Sequence, residues 1–491
     1  MLPQFNRQAP TNAAVVRAAN STWVDHIGRV AIFGYGVSGA AAVRWALDQP
    51  ESRVPSVTVV DSNSAAGALL TSSLPEYLAS ARLESFIGVD VTQVSGPFDV
   101  GIISPGIPPH SPLGVAARSL CTEVISEVEL AYRESSNPWV AITGTNGKTT
   151  TTALATHLLN AGGVPAVAVG NIGMPTIDAV REMSPETVMV AEVSSFQLDA
   201  TIQFHPEVAA VVNITPDHTD WHGSFDSYAR AKAMVFRNLS DGDLALWCAD
   251  DDFSQEYLAG AVPASAATAV ISVDGATDVG FVPSVLTVRG GALVAVEDGI
   301  PSHLCMVTDL AIAGAHNQVN ALFAAAIARY FGVAGEPLLR GLSSFQPVPH
   351  RLQMVGKVAG VRYYNDSKAT NPDATVTAVR AFPGEPVHLL VGGRNKGSDF
   401  VHLAAVTGPL VETVTCFGEA GSELKAAYAV AGVPCRQVDT MIDALEVVSA
   451  GAKAGDVVLL SPACASFDEF LSFEHRGDVF RSAVKSLGEG V

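Results

Sequence analysis

Cationic residues are scarce in this chain. Its 491 residues hold 29 Lys and Arg against 49 Asp and Glu, a formal charge of −20 with an isoelectric point near 4.9. Such a balance opposes any broad attraction to nucleic acid or to anionic membranes, so neither is an expected partner. Anionic ligands must be held locally, by loops, metal ions and single cations. Cysteine is thin as well: Cys121, Cys248, Cys305, Cys416, Cys435 and Cys464 include no C-x-x-C pair. That pattern suggests neither a zinc site nor a disulfide framework, and it suits a reducing cytoplasm. Long apolar runs are missing too. The least charged later stretch, Ala311–Ala328, is interrupted by His316, Asn317, Gln318 and Asn320, and the first ten residues, MLPQFNRQAP, hold no apolar signal core. A soluble cytoplasmic protein without a membrane span is expected.

What the chain does have is apolar material for several cores. Hydrophobic residues make up 48%, charged residues only 16%, and the mean hydropathy is +0.28. At roughly 150 residues per domain the length suggests about three domains. Breaks fall near Ser135-Ser136-Asn137-Pro138 and Gln346-Pro347-Val348-Pro349, giving domains 1–137, 138–347 and 348–491. Within the first, Arg29–Phe33, Val57–Asp61 and Val100–Ser104 read as strands and Gly39–Leu47 as a helix. The second continues with strands Thr187–Val193, Val208–Ile214 and Leu244–Cys248, and residues 262–305 read as β structure inserted late in it. The third has strands Val361–Asn365, Val387–Val391, Val414–Phe417 and Val457–Ser461, with a helix from Pro372. Alternation of this kind predicts an α/β fold built on largely parallel, doubly wound sheets, Rossmann-like at both ends with a P-loop ATPase-like centre.

The most informative stretch is Ala141–Thr152, AITGTNGKTTTT, set between the apolar run Trp139–Thr143 and a helical pattern from Thr149. Gly144, Thr145, Asn146 and Gly147 offer backbone N–H groups to phosphate oxygens, Lys148 a charge, and Thr149 and Thr150 hydroxyls. A nucleoside triphosphate is the expected ligand, although Ile142 stands where the common phosphate-loop pattern has glycine. Gly34-Tyr35-Gly36-Val37-Ser38-Gly39 follows a strand and Asp61 ends the next one, as in a dinucleotide fold; the same geometry serves other diphosphates. Glu192 and His218 lie at or just beyond strand ends on the edge that carries the phosphate loop, where a carboxylate can reach a metal bound to triphosphate. Lys232, mid-helix between Ala231 and Ala233, reads by spacing as a solvated lysine. His316, Asn317 and Asn320 open a helix, where amides can pair with a base or ribose or simply cap. Three polar loops in the last region, Asn365–Pro372, Gly392–Gly397 and Ser461–Phe467, each follow a strand and suggest a carboxylate-bearing substrate.

As a set these motifs resemble those of the Mur ligases of peptidoglycan synthesis, in the form that adds D-glutamate. The likeness spans nearly the whole chain: SPGIP at Ser104–Pro108, GTNGKTT at Gly144–Thr150, GNIG at Gly170–Gly173, EVSSFQL at Glu192–Leu198, Asp217-His218, HNQVN at His316–Asn320, His350-Arg351, NDSKATNP at Asn365–Pro372 and SPACASFDEF at Ser461–Phe470. NDSKATN and SPACAS discriminate best within the family. The resemblance implies an ATP-driven amide ligation of D-glutamate to UDP-N-acetylmuramoyl-L-alanine through an acyl phosphate, by a monomer using two Mg²⁺ ions. It implies that Val37, Ser38, Asp61, Ser62 and Ser104 line the uridine diphosphate site and that Asn171 meets the muramoyl part. Lys148 and Thr149 would hold phosphates and Mg²⁺, with Glu192, His218 and a carbamylated Lys232 serving the metals. Asn317, Asn320, Arg351 and Asp366 would contact ATP. Lys368, Thr370, Lys396, Ser466 and Phe473 would handle D-glutamate or the transferred phosphate, and His218 and Asp366 are the candidates for taking the amine proton. Other ATP-dependent amino-acid ligases, such as a folylpolyglutamate synthase, an NAD-linked oxidoreductase and a P-loop nucleotide switch are the competing readings.

Overall fold

A computed structural model describes residues 25–273, 284–312, 314–346, 349–395 and 397–489. The chain forms two compact units. One comprises the chain up to Leu310 together with Gln318–Phe345, the other Ala311–Asn317 together with the chain from Gln346 onward.

The first unit carries two sheets. Five parallel strands lie in the spatial order Leu83–Ile87, Val57–Asp61, Val30–Phe33, Phe98–Ile103 and Cys121–Ile125. The central strand, VAIF, is buried along its whole length, as a strand covered on both faces by helices must be. The helix Val37–Asp48 follows it directly and buries the face made by Ala40, Val43, Ala46 and Leu47. It begins two residues earlier than the apolar pattern indicates, which places Val37 and Ser38 in its first turn.

The second sheet has nine strands, ordered Ile300–Met306, Ala292–Glu297, Ser284–Arg289, Ala267–Ser272, Leu244–Cys248, Val208–Val211, Trp139–Thr143, Val188–Glu192 and Ala166–Gly170. Trp139–Thr143 is again buried throughout and sits where the strand order reverses, the position at which open α/β sheets form a ligand crevice. Residues 262–305, read from sequence as inserted β structure, extend this same sheet: two strands join it in parallel and two more fold back antiparallel. The hairpins turn at Gly290-Gly291 and Asp298-Gly299, all four residues with positive φ, as two-residue turns between twisted strands require.

The second unit holds six strands in the order Gln353–Val358, Val361–Asn365, Val457–Ala463, Val387–Gly392, Thr413–Phe417 and Cys435–Gln437; only the first is antiparallel to its neighbour. Val361–Asn365, Val457–Ala463 and Val387–Gly392 are adjacent, so the three polar loops that follow them emerge side by side. Among the described residues no helix is long and apolar enough to cross a membrane.

Candidate active site

The phosphate loop is pinned from below. Asn213, two residues beyond Val208–Val211, accepts the amides of Thr145 at 3.1 Å and Asn146 at 2.8 Å through Oδ1, and its Nδ2 donates to Asn146 O at 3.2 Å. Gly144 and Gly147 take φ of 146° and 81°. At Gly147 a Cβ would stand 2.5 Å from Asn320 Oδ1, so the loop admits only glycine there. The helix Lys148–Ala161 then presents its N-terminus to the loop. Asn320 Oδ1 also accepts the Thr151 hydroxyl at 3.2 Å, tying the helix Ala315–Tyr330 to that helix.

Lys148 Nζ donates to Gly144 O at 2.7 Å and to Thr145 O at 2.8 Å. Lys232 Nζ donates to the same Gly144 O at 2.7 Å and lies 4.5 Å from the Tyr228 ring centroid. The solvated lysine that spacing suggested is therefore wrong: Lys232 is 2% exposed. Its helix, Phe225–Ala233, turns Tyr228, Ala229, Ala231 and Lys232 into the protein. Burial, and then the charge of Lys148, hold its amine well below the usual lysine range.

Glu192 ends its strand 1% exposed. Its Oε2 accepts the Thr149 hydroxyl at 2.7 Å and its Oε1 the Asn171 amide at 3.0 Å. Thr149 and Glu192 thus supply adjacent hard oxygen donors, the small protein share that Mg²⁺ takes when phosphates complete its shell. His218 has φ of 51°, uncommon for a residue with a side chain, and packs its ring 4.8 Å from Phe196 with Nε2 3.6 Å from Asp217 Oδ2.

In the first sheet Ser104 Oγ donates to Gly34 O at 2.9 Å, while Asp61 accepts the amides of Tyr35 at 2.6 Å and Asn63 at 2.8 Å. Asp61 therefore shapes the glycine loop itself. Val37 and Ser62 are exposed beside it, and Ser38 is half-buried.

The second unit brings Arg351, Asp366, Lys368, Thr370, Ser466 and Phe473 into one unit; Lys396 lies outside the described residues, and Asn317 belongs to this unit while Asn320 belongs to the other. Asp366 accepts Leu352 N at 3.1 Å and Ser461 Oγ at 2.8 Å. Burial raises its carboxyl to about 7, against the pull of those two donors and of Arg351 and Arg476. Lys368 Nζ stands 3.8 Å from the Phe473 ring centroid, a cation–π contact that holds the ammonium in place. Ser466 is buried.

Sequence reasoning missed two residues that hold these loops. Asn213 carried no motif. Arg476, in the first turn of Phe473–Glu489, is fully buried and donates to Ser367 Oγ at 2.9 Å, to Ser367 O at 2.8 Å and to Cys464 O at 3.2 Å. It thereby clamps NDSKATN to SPACAS. Burial lowers even this guanidinium to about 10. A lone arginine near a helix start gives no sequence signal of such a role.

Sequence profiles of the Mur ligase middle domain and of the Mur ligase glutamate ligase domain match residues 142–328 and 350–464. The UDP-N-acetylmuramoylalanine–D-glutamate ligase of Pelotomaculum thermopropionicum is 38% identical over 471 residues, 94% of this chain and 98% of that one. The enzyme of the same name from Frankia casuarinae is 38% identical over 93% of this chain and 94% of its own. Among solved structures, the UDP-N-acetylmuramate-alanine ligase of Thermotoga maritima superposes with a TM-score of 0.57 at 18% identity, covering 93% of this chain and 99% of that one. The last likeness concerns the fold; the sequence identities decide the family. The chain belongs to the Mur ligase family.

Proposed function

We propose that the chain is an ATP-dependent ligase joining D-glutamate to UDP-N-acetylmuramoyl-L-alanine. In this reading residues 1–137 hold the uridine diphosphate end, 138–347 hold ATP, and 348–491 hold the amino acid. The observation that carries it is the convergence of Lys148 and Lys232 on Gly144 O beside the Thr149–Glu192 pair, in a chain of this family.

The L-alanyl carboxylate attacks the γ-phosphorus of ATP, giving an acyl phosphate and ADP. The D-glutamate amine then attacks the acyl carbon, and the tetrahedral intermediate collapses to the amide and phosphate. Lys148 and the loop amides bind the phosphates and offset charge as it spreads over the transferring group. Mg²⁺, when bound, would add positive charge there, held by Thr149 and Glu192, with His218 at its margin. Lys232 is suited to carbamylation: burial holds its amine well below the usual lysine range, and a neutral amine can attack CO₂ and lose a proton, becoming an oxygen donor. Asn320 and Asn317 serve ATP, as do Arg351 and Asp366. Lys368, Thr370 and Ser466, with Lys396, meet the D-glutamate carboxylates. Asp366, titrating near neutrality, is a candidate to receive the amine proton.

The test is phosphate release across a panel of amino acids. Release that requires the UDP-muramoyl substrate and D-glutamate together is expected. Release with L-glutamate or a diamino acid in its place, or with no amino acid at all, would overturn the assignment.

A further inference from the structure

Two of the six cysteines stand side by side in the last sheet, in the unit that does not contain the phosphate loop. Cys416 lies on Thr413–Phe417, and Cys435 opens the edge strand Cys435–Gln437 that pairs with it in parallel. The register sets Cys435 opposite Val414, and residues two apart share a face, so Cys416 and Cys435 project to the same side, into one apolar cluster. Their Sγ atoms are 3.3 Å apart. A disulfide requires about 2.05 Å, so closure needs a sulfur movement of little more than ~1 Å.

The two thiols are unequal. Cys416 is fully buried, whereas Cys435 is only partly so and sits on the exposed edge of the sheet. The hydrogen bond from Cys416 holds the Cys435 thiol below the usual range against the effect of burial, and Lys425 adds to this; the same contact, with burial, pushes Cys416 up. The remaining four, Cys121, Cys248, Cys305 and Cys464, are buried, and burial raises Cys121 to about 12 and Cys305 to about 11. Cys435 is thus the one cysteine of the described chain that is not buried, and it lies in contact with a second thiol.

We propose that Cys416 and Cys435 form a redox-active dithiol site whose reactant is a low-molecular-weight disulfide. The Cys435 thiolate attacks one sulfur of R–S–S–R, forming a mixed disulfide and releasing RS⁻. Cys416 then gives its proton to solvent and attacks the Cys435 sulfur, closing the protein disulfide and releasing the second RS⁻. Two protein thiols are oxidised and the small disulfide is reduced to two thiols. The bridge ties the edge strand to Thr413–Phe417, whose last carbonyl receives the Gly393 amide at 3.3 Å, at the root of one of the amino-acid loops. The chemistry stands independently of the ligase assignment.

The experiment equilibrates the full-length native chain with glutathione disulfide, quenches with acid, alkylates and maps the peptides by mass spectrometry. A Cys416–Cys435 linked peptide, reversed by dithiothreitol, is expected, with the other four thiols alkylated. Cys416→Ser should stop at a glutathione adduct on Cys435, and Cys435→Ser should form neither product. Recovery of both thiols alkylated in the unmodified chain, a first bridge from Cys416 to Cys464, or an adduct appearing first at any other cysteine would overturn the proposal.

Discussion

Lys148 and Lys232 direct their nitrogens at a single carbonyl, Gly144 O, each at 2.7 Å. Two full positive charges so placed would repel, and burial, then the charge of Lys148, holds the Lys232 amine well below the usual lysine range. Lys232→Ala should abolish most ligation, and acetate should restore part of it by filling the vacated oxygen-donor position; Lys232→Arg should stay inactive. Steady-state rates with and without acetate decide this, and full activity in the arginine variant would remove the carbamate. Asp366 makes a pH prediction. Its folded value of about 7 exceeds its ordinary 3.8, so the native state retains a proton that the unfolded chain gives up. The stabilisation is complete below pH ~4 and is lost as pH rises through ~7, on the order of 4 kcal/mol in all. Denaturant titrations of the native chain and Asp366→Asn, which stays neutral, should therefore diverge across that window; parallel curves would show that Asp366 is ionised in the fold. For Arg476→Lys, which loses the planar fork, the D-glutamate KM should rise about tenfold or more while the ATP KM holds. Equal changes in both would mean general loosening. The residue pattern by itself showed neither the burial of Lys232 nor the reach of Arg476: Lys232 reads as solvated because its neighbours are alanines, and which helix face turns inward is a tertiary matter; the roles of Lys232 and Asp366 came only with the family resemblance.

At the scale of elements the sequence was far more informative. Strands covered on both faces read as short apolar runs, and Trp139–Thr143 was located to the residue; so was Val361–Asn365, whose burial alternates along the strand. The glycine loops were equally plain, because their backbone conformations are open to few other residues. Pairing was not legible: the strands after Leu244–Cys248 could be seen, yet their joining the central sheet depends on register, which composition does not carry. Asp61 shows the limit of a motif rule, since the position that a dinucleotide fold gives to a ribose here accepts Tyr35 and Asn63 amides. The strand–loop–helix unit is sharply testable at Gly147. Alanine there meets Asn320 Oδ1 at 2.5 Å and Val212 Cγ1 at 3.0 Å in a backbone conformation that side chains resist. Gly147→Ala should weaken ATP binding by roughly tenfold or more, about 1.4 kcal/mol, with the circular dichroism spectrum unchanged. An ATP dissociation constant within twofold of the original would mean that the loop adapts.

For the molecule as a whole, a charge of −20 meets substrates that are themselves anions. Raising ionic strength from ~10 mM to ~150 mM shortens the Debye length from roughly 30 Å to roughly 8 Å, and kcat/KM for the UDP-muramoyl substrate should rise as the repulsion is screened. A fall would show that the local cations dominate the long-range field. The need for several cores was evident from length and hydropathy, but the assignment of Ala311–Asn317 to the second unit and of Gln318–Phe345 to the first was not, because a chain crossing between units leaves no compositional mark. The strand order of the nine-stranded sheet also sets a timetable for synthesis. From Val208–Val211 to Ile300–Met306 each strand pairs with its predecessor, so this flank can grow strand by strand as the chain leaves the ribosome. The phosphate loop is made early and finished late. Asn146 waits 67 residues for Asn213, and Thr151 waits 169 residues for Asn320. A nascent chain thus carries the complete nucleotide motif long before the loop and its helix are held from both sides, at Asn213 and at Asn320.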